Sequence, residues 1–317
     1  MFSFDPIKPF EPVSGTEVPS GPEWIHQIKW DGVRSLAYYD GDQRRLFNRK
    51  GRERTMLYPE LANPAEYCSA SSVILDGEII ALVADGKPSF HEVMRRDAIR
   101  KADKVKFAVE SVPVTYMVFD ILYCNGDWVT GRPLSERRKP LDEVLRPGKT
   151  VQPVASFADG EGLFRLMREQ GMEGIVSKDA RSTYAIDGKD RRWVKVKNYG
   201  DIITVIGGFT LNGGVINAVL AGVYDADGRL IYIGHVGTGK LSRSDWGKLT
   251  AELTPDIISF SPFANQHPDM KGATWVKPRL AIKVQFTEWR WKEGRTLRQP
   301  SIQAFVDAGP EECRFPF

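Results

Sequence analysis

Cysteine is scarce in this chain. Three residues, Cys68, Cys124 and Cys313, lie far apart among 317. There is no Cys-x-x-Cys pair to suggest a zinc ribbon or a redox motif, and an odd count argues against a disulfide framework. Histidine is equally sparse. His26, His91, His235 and His267 show no metal-ligand spacing, and each reads as structural. Long apolar runs are missing too, so no segment reads as a membrane span. The opening "MFSFDPIKPFEPV" lacks the positive stretch followed by an apolar run that marks a secretory signal. Net charge is small: 44 Lys and Arg against 41 Asp and Glu give +3, which neither demands nor excludes a nucleic-acid partner. The expectation is a soluble, reduced, cytoplasmic protein.

What the chain does contain is clustered basic charge and short strands. The clusters are "RRLFNRKGRER", "MRRDAIRKADKVK", "SERRK" and "KDRRWVKVK". Taken singly, each reads equally well as a solvated face. Several of them interleaved with aromatics point towards a surface that tracks phosphates.

From Trp24 onward, alternating segments separated by turn signals predict strands. "WIHQIKW", "VRSLAYYD" and "RRLFNRK" form a run with Asp40-Gly41-Asp42 as a hairpin turn. "SVILDGEIIALV" reads as a strand pair or a bulged strand, and "VTYMVFDILYC" as a strand buried on both faces. "EGLFRLMREQG" has helical spacing and stops at Gly171. "GIVSKD" and "RWVKVKNY" return to strand character. Near "NYGDI" the pattern changes to "ITVIGGFT", "NAVLAGVYD", "LIYIGHVG", a helical "SDWGKLTAEL" and a long strand "RLAIKVQFTEWRW". About five strands and one helix in ~115 residues suit a small Greek-key barrel of the OB type. The expected domains are residues 1–199 and 200–317, in an α+β chain. The aromatic-rich "FTEWRWKEGR" fits a nucleic-acid face and barrel packing equally well.

One stretch raises a chemical question. In "HQIKWDGVR", Lys29 stands before Asp31-Gly32 and Arg34, where a strand breaks and resumes. A lysine that attacks phosphorus must be deprotonated, and the ordinary value near ~10.4 is too high for that at neutral pH. Neighbouring cations or burial would lower it. The departing pyrophosphate calls for positive charge and a divalent metal held by acidic ligands. Downstream, Asp76 and Glu78 stand at i and i+2, hence on one strand face. Lys195 and Lys197 share a face with Trp193. Two lysines side by side repel, and an anionic ligand between them turns that cost into binding.

These residues carry a resemblance. "KWDGVR", "NRKG", "LDGEI", "YMVFD", "EGIVSK" and "WVKVK" occur in the order and at the spacing of an ATP-dependent DNA ligase of the covalent nucleotidyltransferase superfamily. The chain most resembles the ligase modules of bacterial non-homologous end joining, from Trp24 to about Phe305. A Lys-x-Asp-Gly alone is a weak signal, whereas six ordered motifs are a strong one. The resemblance implies a nucleotidyltransferase domain (ATP-grasp-like, with antiparallel sheets and helices) followed by an OB-fold barrel.

Carried over position by position, it implies that Lys29 forms a covalent lysyl-AMP. Arg34 and Arg49 would contact sugar or phosphates, and Glu78 and Glu173 would serve metal and ribose. Phe119 would stack on adenine, while Lys178, Lys195 and Lys197 would hold the α-phosphate. Gln27 stands where many relatives place a glutamate near the adenine amino group, and its amide oxygen can accept the same hydrogen bond. Arg298, in "RTLRQPSI", sits where the last motif begins and would orient the leaving pyrophosphate. After it, Ile302, Val306 and Asp307 depart from the usual phenylalanine, arginine and acidic residues.

The implied cofactors are ATP and a divalent metal, Mg or Mn. The implied substrate is nicked double-stranded DNA, handled by a monomer on the nucleoid, with a Ku-like end-binding protein or a separate polymerase as partners. The rival readings are an RNA ligase, a capping-type guanylyltransferase and a non-catalytic OB-type nucleic-acid-binding protein.

Overall fold

The computed structural model describes residues 5–84, 86–237, 239, 241–309 and 312–315, with Arg243 described by its backbone alone. The chain divides into two compact units, Met1–Asn198 and Tyr199–Phe317.

The strands of the first unit are β1 (Glu11–Gly15), β2 (Trp24–Ile28), β3 (Val33–Tyr39), β4 (Arg44–Asn48), β5 (Val73–Ala81), β6 (Val114–Cys124), β7 (Asp127–Trp128), β8 (Val151–Pro153), β9 (Gly174–Asp179) and β10 (Lys189–Lys197). Its helices are α1 (Phe90–Asp97), α2 (Asp103–Ser111), α3 (Leu134–Val144) and α4 (Gly160–Glu169). Two sheets result, ordered β1-β10-β9-β2 and β4-β3-β5-β6-β7, with β8 added on β6. Strand alternation sorts their side chains into layers. Ile175, Val194 and Val196 face outward and meet Leu163 and Met167 of α4. Val73, Leu75 and Ile79 face the opposite outer side and join Val93 of α1 and Leu141 of α3. Between the sheets, Leu36, Tyr38, Phe47 and Ile74 pack against Phe10, Tyr184 and Trp193. Each large side chain buried this way contributes roughly 1.5–3 kcal/mol.

The sheets are not purely antiparallel. β1 runs parallel to β10, and β8 runs parallel to β6. Both are short edge strands carrying a proline, Pro12 and Pro153, which an edge tolerates and a centre does not. "SVILDGEIIALV" forms the single strand β5, whose register against β6 shifts between Asp76 and Gly77. That shift leaves Phe119 of β6 as the extra residue of a bulge, a device that re-aims a side chain.

Two basic clusters fit neither the solvated-face reading nor the phosphate reading throughout. Arg96 and Arg137 are fully buried. Arg96 donates to the carbonyls of Leu57, Ala108 and Val112 and to Glu60, tying α1 to the end of α2. Arg137 donates twice to Asp120 at 2.9 Å, and to the carbonyls of Arg132 and Ser182.

The second unit contains β11 (Gly200–Asn212), β12 (Val215–Tyr224), β13 (Leu230–Val236), α5 (Arg243–Leu253), β14 (Ile257–Ile258), β15 (Thr274–Val276), β16 (Ala281–Phe286) and β17 (Ser301–Val306). β11 pairs with β12, β15 and β16, and β16 pairs with β17. A bridge between Gly237 and Ser301 brings the end of β13 to β17 and closes the barrel. Trp246, Leu249 and Leu253 of α5 complete its core. Helix α5 begins with a capping box between Ser242 and Asp245.

The long final strand expected through Trp291 stops at Phe286. The chain leaves the barrel there and returns at Arg298, whose N–H donates to the Glu288 carbonyl at 2.9 Å. Trp289 stacks on Phe315 and packs on the barrel core, so barrel packing holds for this aromatic.

Candidate active site

Between β2 and β3 the chain crosses from one sheet of the first unit to the other. Lys29 stands at the start of that crossing and Gly32 near its end. A Cβ on Gly32 would lie 2.1 Å from the Ile79 carbonyl oxygen, so the crossing fits only glycine there. The Lys29 N–H donates to the Gly174 carbonyl at 2.9 Å, and Gly174 pairs with Lys197 on the next strand. Lys29, Gly174 and Lys197 therefore form a row across β2, β9 and β10. Gly174 has φ of 134°, and a Cβ there would sit 2.1 Å from the Val196 carbonyl oxygen. No side chain rises between the two lysines.

Glu173 fills the space beside that row. Its Oε2 lies 2.5 Å from Lys29 Nζ and its Oε1 lies 3.0 Å from Lys197 Nζ. Unmasking the amine calls for neighbouring cations or burial. The structure pairs it with a nearly buried carboxylate.

On the same face of the sheet the next row is Gln27, Val176 and Lys195, and the one after it Ile25, Lys178 and Trp193. Burial holds Lys195 below the ordinary lysine value, and repulsion from Lys197, Lys29 and Lys189 adds to this. The repulsion between Lys195 and Lys197 is the one expected from their spacing. Gln27 is buried, and its Nε2 donates to Ser156 Oγ at 3.0 Å. Its Oε1 is thereby the atom left to accept from a ligand.

The opposing sheet contributes Arg34, Asp76, Glu78 and Phe119. Arg34 clasps Asp76 with two hydrogen bonds, of 2.9 and 2.6 Å, and Tyr184 Oη donates to the same carboxylate at 2.7 Å. This guanidinium is thus committed to a fully buried partner. Glu78, opposite Arg34 on β5, is pushed up to about 7 by burial, against the pull of Lys29 and Arg34. Lys178 is 2 % exposed. Its Nζ lies 4.1 Å from the Phe119 ring centroid and 3.9 Å from that of Trp193, and has no hydrogen-bond partner among the described residues. Burial pulls it down to about 7.

Ten of the eleven expected residues thus lie on or beside the two sheets of the first unit, and the paired contacts link most of them. Arg49, just past β4, is exposed and pairs with Glu11 at 3.5 Å, outside that network. Arg298 belongs to the second unit. It lies 3.9 Å from Glu288 and is lowered to about 10 by burial. The sequence points to Asp76 only as the neighbour of Glu78, and it does not point to Tyr184 or Ser156 at all. Nothing local in the sequence marks them, since their places follow from strand register and loop path. Among the described residues, no three His, Cys, Asp or Glu side chains gather into a metal cage. The donor set is Glu78 with Glu173, carboxylates close enough to influence each other. It fits a magnesium-type ion, which takes one or two carboxylates and completes its shell from water and substrate phosphates. No helix among the described residues is long and apolar enough to cross a membrane.

Known proteins resemble the chain over both units. Residues 12–197 match the family described as ATP dependent DNA ligase domain, and residues 212–306 match ATP dependent DNA ligase C terminal region. The chain is 33% identical over 320 residues to the multifunctional non-homologous end joining DNA repair protein LigD of Mycobacterium tuberculosis. That match covers 98% of this chain and 40% of the relative, so the chain spans well under half of LigD. It is 36% identical over 314 residues to a DNA ligase of Methanoculleus marisnigri, covering 93% of this chain and 55% of that one. Among solved structures it resembles mycobacterial DNA ligase D complexed with ATP and MES, with 33% identity and a TM-score of 0.56. That likeness covers 98% of this chain and 99% of the other. With a nucleotidyltransferase unit, an OB-fold unit and both matches in chain order, the protein belongs to the ATP-dependent DNA ligase family.

Proposed function

We propose that the chain seals nicks in double-stranded DNA in three steps, with ATP as adenylyl donor. The Lys29 amine attacks the α-phosphorus of ATP. Before attack one proton of the Lys29 nitrogen passes to Glu173 Oε2, the carboxylate oxygen 2.5 Å away. The P–N bond then forms, the bond to pyrophosphate breaks, and the second proton leaves the nitrogen with the pyrophosphate. The adenylyl group then moves to a DNA 5′-phosphate, releasing the lysine. Last, the 3′-hydroxyl attacks that phosphate and AMP leaves. The observation that carries this reading is Glu173 gripped by Lys29 on one side and Lys197 on the other.

The resemblance, together with the contacts within the first unit, supports the remaining roles. Lys195 and Lys197 stabilise charge growing on the α-phosphate, and such preorganised donors act strongly where water is excluded. Phe119, at the bulge of β6, offers a face to the adenine ring. Glu78 and Glu173 would hold a divalent metal, Mg or Mn, which when bound neutralises phosphate charge. Glu173 is also the ribose or metal partner that the resemblance implies. Arg34 acts through Asp76, aligning β3 and β5 beneath the nucleotide. The resemblance assigns Arg49 to phosphates and Arg298 to the leaving pyrophosphate.

The same reading places the protein in the cytoplasm on the nucleoid, in DNA repair and end joining as its LigD relative is named. There it would act as a monomer beside a Ku-like end-binding protein or a separate polymerase. Sealing assays on nicked DNA and nicked RNA test it. Joining of DNA with ATP and magnesium is expected, and joining of RNA alone would favour the RNA-ligase reading.

Nucleotide choice gives a sharper expectation. With Nε2 held by Ser156, Gln27 presents an acceptor that suits the amino group of adenine and opposes the carbonyl of guanine. Freed of Ser156, the amide can turn and donate instead. Ser156→Ala should therefore reduce the preference for ATP over GTP in forming the lysine adduct by about tenfold, the worth of one hydrogen bond. Parallel adduct rates with the two nucleotides measure this, and an unchanged ratio would assign the selection elsewhere.

A further inference from the structure

A buried ammonium without a hydrogen-bond acceptor is costly, and proteins ordinarily avoid it. Lys178 is such a group. It is 2 % exposed and its Nζ finds no acceptor among the described residues. Its company is two aromatic rings, Phe119 and Trp193, at 4.1 and 3.9 Å. These rings stand edge to face, with centroids 6.0 Å apart. Trp193 is itself buried, and it also meets Tyr184 and Phe10 edge-on. The lysine is thus walled in by the layer from which Phe119 emerges. A phosphate oxygen would need open access to Nζ, and the burial of that nitrogen denies it.

Given the nucleotide site proposed above, on which this inference rests, we infer that Lys178 is a positioning residue for the nucleobase. It acts through the Phe119 and Trp193 rings rather than as a ligand of the α-phosphate. A cation against a ring is attracted by its π electrons, and more strongly where water is excluded. That attraction fixes the orientation of Phe119 and draws electron density from it, which favours stacking by an electron-rich purine. Arg34, whose Cζ lies 5.2 Å from the Phe119 centroid and 5.6 Å from that of Trp193, supplies a second cation to the same pair of rings. Unlike Lys178, Arg34 is neutralised by Asp76.

The arrangement sets stability against function, and this separates it from a merely structural role. The charged groups that act on Lys178 are Asp120 and Asp76, which support its charge, and Arg34 and Arg137, which oppose it. Burial outweighs them and brings the folded value down to about 7. The unfolded value is near ~10.4. Between those two values the unfolded chain binds more protons, so the residue's contribution to stability rises with pH across that window. Below about pH 7 both states are charged and the cost is felt in full.

Lys178→Met keeps most of the side-chain volume and removes the charge. It should raise the thermal unfolding midpoint at pH 7, with the gain fading towards pH 10. The same variant should raise KM for ATP at least tenfold in adduct formation, with a smaller loss in kcat. The KM difference from wild type should narrow above pH 8, where wild-type Lys178 is itself mostly neutral. A lowered unfolding midpoint would overturn the inference by making Lys178 a structural cation. A fall in kcat with KM unmoved would overturn it by restoring direct contact with the α-phosphate in the transition state. Wild type is measured alongside with ATP and magnesium. If wild type forms no AMP adduct the nucleotide-site reading itself fails, whereas an adduct in wild type with unchanged KM in the variant sinks only the role of Lys178.

Discussion

Lys29→Ala protein, incubated with ATP and magnesium, gains no AMP, while wild type gains one. The loss falls below detection because no other group on the site can take the place of the Lys29 nitrogen. Lys195 and Lys197 lie on β10, two strands from β2, and Lys197 is held by Glu173. Lys178 is walled in by rings. The fold should survive, since the Lys29 side chain is partly exposed and its backbone bond to Gly174 does not depend on it. Removing the lysine frees Glu173 from one partner and leaves it Lys197. The defect is also specific to one step. A nick that already bears the 5′-adenylate needs no lysine nucleophile, so the variant should still seal it. Intact mass, circular dichroism and the two sealing substrates test this together. Equal loss on both substrates would mean that Lys29 serves DNA binding or folding instead.

The largest effect on stability is expected at a buried ion pair behind the site, where α3 packs on β6. Arg137 of α3 and Asp120 of β6 are both fully buried and share two hydrogen bonds of 2.9 Å. Arg137→Met leaves the Asp120 carboxylate charged, buried and without its guanidinium. Breaking a buried pair from one side costs about 3–5 kcal/mol. The carbonyls of Arg132 and Ser182 lose their donor as well. Chemical denaturation should show the loss as a lower midpoint with an unchanged slope. Replacing both partners, as Arg137→Met with Asp120→Leu, should recover most of it, because two apolar groups leave no orphaned charge. A single variant as stable as wild type would show that this pair is not what anchors α3 to the sheet.

That arginine also marks where the sequence stops being legible. "SERRK" is a run of charge, and nothing in the string distinguishes Arg137, which is buried, from its neighbours. Its place is fixed by the packing of α3 on β6. The helix itself is hard to read from the string, since Pro140 within it looks like a break. Helix α1 is hidden in the same way inside a basic cluster, with Arg96 as its buried anchor.

The strands that carry the site are far more legible. Alternation along "WVKVK" is enough to set Trp193, Lys195 and Lys197 on one face, and "GIVSKD" reads as a strand from its apolar and polar pattern alone. The pairing of partners is not legible. Glu173 sits between Lys29 and Lys197 because β2 and β10 both pair with β9 in one register, and register is a property of three strands together. Asp76 shows the same limit. Its spacing from Glu78 suggests a pair of carboxylates on one face, yet Arg34 and Tyr184 claim it. In the barrel unit, "RLAIKVQFTEWRW" keeps strand character to its end, but the chain turns out at Thr287, where the Arg298 carbonyl accepts from its N–H at 3.0 Å.

The central claim is that Lys29 carries the adenylyl group. Wild-type protein is incubated with ATP and magnesium and digested at alkaline pH, which spares the acid-labile P–N bond, and its peptides are sequenced by mass. The predicted result is a single AMP on the peptide containing Lys29, lost when pyrophosphate is added back. AMP found on Lys178, Lys195 or Lys197, or no adduct at all, would contradict it.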